Sequence, residues 1–298
     1  MAYIKCSLTP ALTPEQKQFY EDNGYIVVRN NVDPEVLDNC MKRFIDICKG
    51  STDHQVFMVM KDPSLKHSNA KGEHLIDKLQ DFAFDPVFWS YASDVNVVNV
   101  VEEIIGPNIT VAHSMFINKP PNAKASSSLH PLHQDIFYFP FRPPNKIVAS
   151  WTALERVDES NGCLYVISGS HKGPMYEHTY PEGFRKPMYL GVQGFDHLKK
   201  TFVIMEKGDT VFFHPHILHG SGPNRTQGFR RAISCHYADS NCEFIDVRGT
   251  SQEQLAVELE ATAQKLGLAS TNFIDVWKIK SRLVRGKPGS FQQISSRL

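Results

Sequence analysis

The chain has 298 residues, 41% hydrophobic and 21% charged, enough apolar material for one large core or two small ones. Lys+Arg 32 balance Asp+Glu 32, so no net field would hold nucleic acid or an anionic membrane surface, and no apolar run reaches the roughly eighteen residues that span a bilayer. Lys5, Pro10 and Pro14 interrupt the stretch where a signal peptide would be apolar, and the six cysteines form no C-x-x-C pair, so the reading predicts a chain neither secreted nor anchored, with reduced thiols.

In chain order, Thr13-Pro14-Glu15-Gln16 predicts a capped helix closed by Asn23-Gly24, and Tyr25 to Val28 a short strand. Asp33-Pro34 predicts a second helix, with Leu37, Cys40/Met41, Phe44 and Cys48 on one face and a stop at Gly50. Residues 51 to 74 read as a polar surface loop. One helical pattern is expected from Asp85-Pro86 to Ile105, ended by Gly106-Pro107. Beyond it come β-branched and aromatic runs: Ile109 to Ile117, His133 to Phe139, Ile147 to Leu154, Cys163 to Ile167, Phe202 to Met205, Thr210 to Phe213 and Phe229 to Tyr237. Seven or eight strands in one stretch predict a mainly β fold with flanking helices, a two-sheet jelly roll of the cupin-like kind. A helix is expected from Gln252 to Leu266, a mixed segment to Val284, and a mobile polar tail from Gly286 to Leu298. No linker divides the chain, so one domain over 1–298 is predicted: helical 13–106, jelly roll 107–240, helical 250–284, tail 286–298.

His133-Gln134-Asp135 falls in a strand-like run, where residues i and i+2 share a face, so an imidazole and a carboxylate can reach one ion while Gln134 points away. His219, from a distant strand, would complete the two-histidine, one-carboxylate facial set of an Fe(II) site with three open positions. Arg230 follows eleven residues later, where its guanidinium fork can hold a carboxylate. A lone H-x-D more often marks a capped turn or a core histidine; it is the combined order that suits a 2-oxoglutarate oxygenase. The rival cluster His214-Pro215-His216 with His219 would suit zinc, but it leaves Asp135 and Arg230 unexplained. His214 and His216 are therefore assigned to packing around the site, and His113, His130, His171 and His236 to hydrogen-bonded structure.

Longer blocks carry a resemblance: INKPP (117–121), HPLHQD (130–135), YFPFRP (138–143), NGCL (161–164), MEKGDTVFFHP (205–215), HGSG (219–222), TQGFR and AISCH (226–236). In these the chain resembles the phytanoyl-CoA dioxygenase family over about Leu12 to Val284. The resemblance implies a double-stranded β-helix, dependence on Fe(II), 2-oxoglutarate and ascorbate, and use of dioxygen to hydroxylate carbon 2 of a branched fatty acyl-CoA. It places the iron on His133, Asp135 and His219, and 2-oxoglutarate on Lys78, Met115, His133, Gln134, Asp135, Trp151, Ser221 and Arg230. The basic loop Lys61 to Lys71 is a candidate for the CoA phosphates, and the aromatic run Phe137 to Phe141 for the acyl chain. Two other readings stay open: the same chemistry on a non-CoA substrate, and a non-catalytic jelly-roll binding protein. Ser296-Arg297-Leu298 reads as a variant of the Ser-Lys-Leu address, which makes the peroxisomal import receptor an expected partner and the peroxisome the expected location.

Overall fold

Thr13 caps the first helix as expected. Its hydroxyl accepts from the Gln16 N–H, the Gln16 side chain accepts from the Thr13 N–H at 2.8 Å, and Pro14 takes the first helical position, giving α1 over Pro14–Asn23. Gly24, with φ 79°, turns the chain directly into β1, Tyr25–Val28. The computed structural model describes residues 11–52, 58–61, 71–121, 129–181, 189–195, 197–265 and 271–293. The tripeptide Ser296 to Leu298, Cys6 and most of the basic loop after Lys61 lie outside those residues.

From the Asp33 cap, α2 (Pro34–Cys48) buries Leu37, Cys40, Phe44 and Ile47, the face its period predicts. The expected helix from Asp85 to Ile105 is instead two. Asp85 caps α3 (Pro86–Ala92), and Asp94 caps α4 (Val95–Ile105) by accepting from the Asn96 and Val97 N–H groups. Asp94 takes donors that a continuous helix would satisfy with its own carbonyls, so the apolar period runs on through a break in the backbone.

Fourteen strands lie among the described residues. After β1 come β2 (Met58–Lys61), β3 (Ile76–Gln80), β4 (Ile109–Lys119), β5 (His130–His133), β6 (Phe141–Arg142), β7 (Ile147–Ala153) and β8 (Leu164–Val166). Then follow β9 (Thr201–Phe202), β10 (Thr210–Phe213), β11 (His219–Ser221), β12 (Arg230–Asp239) and β13 (Glu243–Phe244), and, beyond helices α5 (Glu253–Lys265) and α6 (Phe273–Lys280), β14 (Arg282–Arg285). The major sheet has the order β1-β10-β7-β12-β4-β3-β2, the minor sheet β5-β11-β8-β9, and β6 pairs with β13. This is a double-stranded β-helix. β1 is the short strand the sequence predicts, and three further major-sheet strands come from segments read as helix, loop or mixed: β2 and β3 before the jelly-roll stretch, and β14 after it. Only two of these were overlooked outright, β2 and β3. They are too short, and too mixed in polarity, for alternation to stand out from a loop.

Alternation along the major sheet sorts its two faces. Phe116, Val148, Phe212, Ile233, Cys235 and Tyr237 pack with the helices, and the Phe44 ring stacks on Phe116 with centroids 4.4 Å apart. Ala149, Trp151, Val211, Phe213 and Ala232 face the other way, onto Leu164 and Val166 of the minor sheet. The site lies on this inner face.

The expectation of a mobile tail from Gly286 fails for residues 286–293. The Ser290 N–H donates to Ser240 O at 2.8 Å, and Phe291 is buried with ring centroids 5.0 Å from both Phe141 and Phe244. One phenylalanine among polar neighbours is no periodic signal, yet it fills a slot between β6, β13 and α6. Removing such a ring leaves a cavity, so Phe291→Ala should cost about 3–5 kcal/mol of unfolding free energy. Chemical denaturation of both proteins tests this; an unchanged midpoint would show the segment to be undocked in solution.

Candidate metal centre and anion pocket

The pairing of β11 with β5 sets His219 directly opposite His133, with ring centroids 4.2 Å apart. Each ring is oriented by one local device. The His133 Nδ1–H donates to Pro131 O at 2.9 Å and the His219 Nδ1–H to Ile217 O at 3.1 Å, both two residues back, which leaves both Nε2 lone pairs free for a metal.

Asp135 arrives by a route the i, i+2 argument missed. β5 ends at His133, and Asp135–Tyr138 forms a 3₁₀ turn held by the Ile136 N–H on Pro215 O at 3.0 Å. That turn brings one carboxylate oxygen of Asp135 to 3.3 Å from His133 Nε2 and 3.7 Å from His219 Nε2. Among the described residues, His133, Asp135 and His219 form the group that could hold a metal ion, their ligand atoms all within 4.8 Å of one another. Two imidazoles and one carboxylate, all buried, fit a ferrous ion that keeps further positions for oxygen ligands.

His236, assigned from the sequence to hydrogen-bonded structure, holds the other Asp135 oxygen at 2.8 Å through its Nε2–H. Burial by itself would raise the Asp135 pKa; the neighbouring His219 and His236 rings and the hydrogen bond from His236 outweigh it and hold the carboxyl well below its usual range. Burial also pushes His219 down to about 4, so it is neutral and able to ligate at ordinary pH. His236 in turn stacks on His113, which pairs with Asp81 at 2.7 Å, and Asp81 pairs with Lys280 at 3.1 Å.

Gln134 does point away, as alternation requires. Its Nε2 donates to Pro174 O and His216 O and its Oε1 accepts from the Tyr176 N–H. The co-substrate contact inferred for it is therefore not one its side chain makes; that amide ties both metal-ligand segments to the 174–178 loop. His214 and His216 bond to each other's segment and to Gly173 O, outside the metal group.

Arg230 opens β12 on the inner face. It is 1% exposed, lies 5.4 Å from the Trp151 ring centroid, and among the described residues has no hydrogen-bond partner for Nε or Nη1. Burial lowers its pKa only to about 10, so it is charged and waiting for an acceptor. Ser221 stands two residues beyond His219 on β11, and its Oγ accepts from Lys119 at 2.9 Å. Arg231, by contrast, faces outward onto Glu73 at 2.6 Å and Asn118 at 3.0 Å. Met115 and Trp151 each lie across from Ser234 of β12 on the inner face. Lys78, on β3, places its Nζ 5.0 Å from the Tyr189 ring centroid; desolvation first, then the charges of His133 and Lys78, lower the pKa of the half-buried His130. The aromatic run is mostly core: Phe137, Phe139 and Phe141 are buried, while Tyr138, partly exposed, packs edge-on to His133 with centroids 6.0 Å apart.

Comparison with known proteins agrees with this geometry. The profile of the phytanoyl-CoA dioxygenase family matches residues 20–232. The peroxisomal phytanoyl-CoA dioxygenase of Rattus norvegicus is 46% identical over 282 residues, covering 93% of this chain and 83% of the relative. A probable phytanoyl-CoA dioxygenase of Caenorhabditis elegans is 46% identical over 293 residues, covering 93% of this chain and 94% of the relative. Among solved structures, the epimerase SnoN in complex with Fe3+, alpha ketoglutarate and nogalamycin RO aligns with a TM-score of 0.60 at 18% identity, over 78% of this chain and 86% of that one. EctD from S. alaskensis with bound Fe aligns with a TM-score of 0.61 at 16% identity, over 82% and 83%.

Removing one of three ligands breaks the facial set. Asp135→Ala and His219→Ala should each weaken anaerobic Fe(II) binding at least a hundredfold by titration calorimetry, and His236→Phe, which frees one Asp135 oxygen, should weaken it ten- to hundredfold. Wild-type affinity in both ligand variants would mean the ion is held elsewhere.

Proposed function

The chain belongs to the phytanoyl-CoA dioxygenase family, and from that premise we propose that it hydroxylates carbon 2 of a branched or long-chain fatty acyl-CoA such as phytanoyl-CoA. In this Fe(II)- and 2-oxoglutarate-dependent reaction dioxygen is split between the two organic partners, one atom entering the acyl chain as hydroxyl and the other entering succinate as 2-oxoglutarate loses CO2. The observation that carries the proposal is the buried trio His133, Asp135 and His219 beside a buried Arg230 whose Nε and Nη1 lack partners. A non-catalytic binding protein has no use for an unpaired guanidinium in its core, because such a group is stabilising only when an acceptor arrives.

Each residue then has a task. Ferrous iron held by the trio would supply the redox chemistry, activating dioxygen against 2-oxoglutarate. The backbone carbonyls of Pro131 and Ile217 keep the two imidazoles in the ligating tautomer, and His236 keeps the Asp135 carboxylate in one orientation. Arg230 and Ser221 receive the distal carboxylate of 2-oxoglutarate, while Trp151, Met115 and Lys78 border the same space from β7, β4 and β3. Ascorbate belongs to the scheme as the external reductant that keeps the iron ferrous. Positioning is the protein's contribution, since a co-substrate fixed at both ends leaves little freedom before the reaction.

Succinate release and 2-hydroxyacyl product, followed together over a panel of 3-methyl-branched and straight-chain acyl-CoAs, free acids and other CoA-free substrates, test the substrate. Equal amounts of the two products on a branched or long acyl-CoA, with little on the free acid, are expected. Turnover confined to CoA-free substrates would keep the oxygenase and reject the acyl-CoA.

The proposal extends to the peroxisome, where the curated relatives are named as working. In a chain that ends on it, Ser296-Arg297-Leu298 presents the small, cationic and apolar residues that the import receptor recognises. Deleting the three residues should leave turnover intact and the protein in the cytosol, checked by fluorescence microscopy and by assay. Import of the truncated protein would remove the tripeptide as the address.

A further inference from the structure

Lys119 is the last residue of β4, and the β4–β12 register sets it directly opposite Arg230. Cations directly across from each other in antiparallel strands repel, and these two are 7% and 1% exposed, where water screens little of that repulsion. Among the described residues neither makes an ion pair with a carboxylate. The nearby Glu155 instead accepts the Arg231 backbone N–H at 2.7 Å. Burial first, then the Arg230 charge, holds the Lys119 ammonium well below its ordinary value, which an anion seated between the two would reverse. Of its three N–H donors, one goes to Ser221 Oγ at 2.9 Å and one to Gly222 O at 2.5 Å. Accepting from Lys119 leaves the Ser221 hydroxyl hydrogen free to be donated elsewhere.

We propose that Lys119 is a second cation of the subsite for the distal carboxylate of 2-oxoglutarate, adding its charge to that of Arg230 and turning the Ser221 hydroxyl into a donor to the same carboxylate. The inference rests on 2-oxoglutarate being the co-substrate. A buried lysine set across from a buried arginine is a net cost to the fold without an anion, and the pair becomes favourable once a carboxylate joins both. The subsite then discriminates by charge: a 2-oxo acid of the same length lacking the distal carboxylate would leave both cations unpaired.

The test uses the anaerobic Fe(II) enzyme, titrated by its visible charge-transfer absorption with 2-oxoglutarate and with 2-oxopentanoate, the same chain without the second carboxylate. Lys119→Gln, which keeps an N–H donor and loses the charge, should bind 2-oxoglutarate roughly tenfold or more weakly and 2-oxopentanoate nearly as the wild type does, with band position unchanged. Lys119→Arg, which keeps the charge, should hold 2-oxoglutarate within about threefold of wild type on the same scale, and it stands in if the first variant does not fold. Equal weakening of both ligands in either variant would make Lys119 a structural residue and overturn the proposal, as would undiminished preference for 2-oxoglutarate in Lys119→Gln. A wild-type enzyme that gives no band with 2-oxoglutarate would instead sink the co-substrate assignment itself.

Discussion

The hydrogen-bonded pairing of β11 with β5 is the contact on which the site depends. Residues 133 and 219 are far apart in the chain, and the three-residue β11 has little strand preference of its own, since Gly220 sits in its middle. Glycine is nevertheless what the pairing requires there: a Cβ at Gly220 would meet the Tyr165 hydroxyl at 2.6 Å and His130 O at 2.9 Å. The close packing of β5, β11 and β8 is thus bought with a residue that weakens an isolated strand, and the neighbours on both sides supply the stability it lacks. Gln134 fastens the same pair of segments from behind, through His216 O and Pro174 O, so the ligand-bearing segments are held on both faces.

Charge follows from that geometry. The inner face between the sheets holds Asp135 together with Arg230 and Lys119, all three buried. Asp135 is held within the protein by the hydrogen bond from His236, beside the two histidine rings. A site that hydrogen-bonds its buried carboxylate and leaves two buried cations without a carboxylate partner among the described residues suits a metal first and an anion second, which is the order in which an iron enzyme meets its 2-oxo acid.

The segments flanking the jelly roll are part of this arrangement. β14 and β3 share the edge of β4 that is turned from β12, and α2 packs Phe44 against Phe116 on its outer face. The strand that carries Lys119, Met115 and His113 is thereby supported along its length on both edges and one face. Asp81, just after β3, and Lys280, at the end of α6, meet at His113 behind His236, so elements from both ends of the chain brace the ring that orients Asp135.

By itself the sequence determined the fold class and the first two helices to their caps, and it singled out the candidate trio with Arg230, because these depend on local signals: capping residues, period-two alternation, and one spacing repeated across a family. The blocks around Asn118 and Gly220 also identified the family, since such long matches do not arise from a metal motif alone. Tertiary structure decided what depends on partners distant in the chain. Asp135 reaches the two histidines through a 3₁₀ turn anchored on Pro215 rather than along a strand, Phe291 is core because β6, β13 and α6 leave a slot, and β3 is a strand because β4 offers it an edge, as β3 does for β2. Nothing in the sequence pattern singles out Lys119; only the register of β4 with β12 sets it across from Arg230, because burial and charge pairing are properties of neighbours in space, and a single chain of letters does not record them.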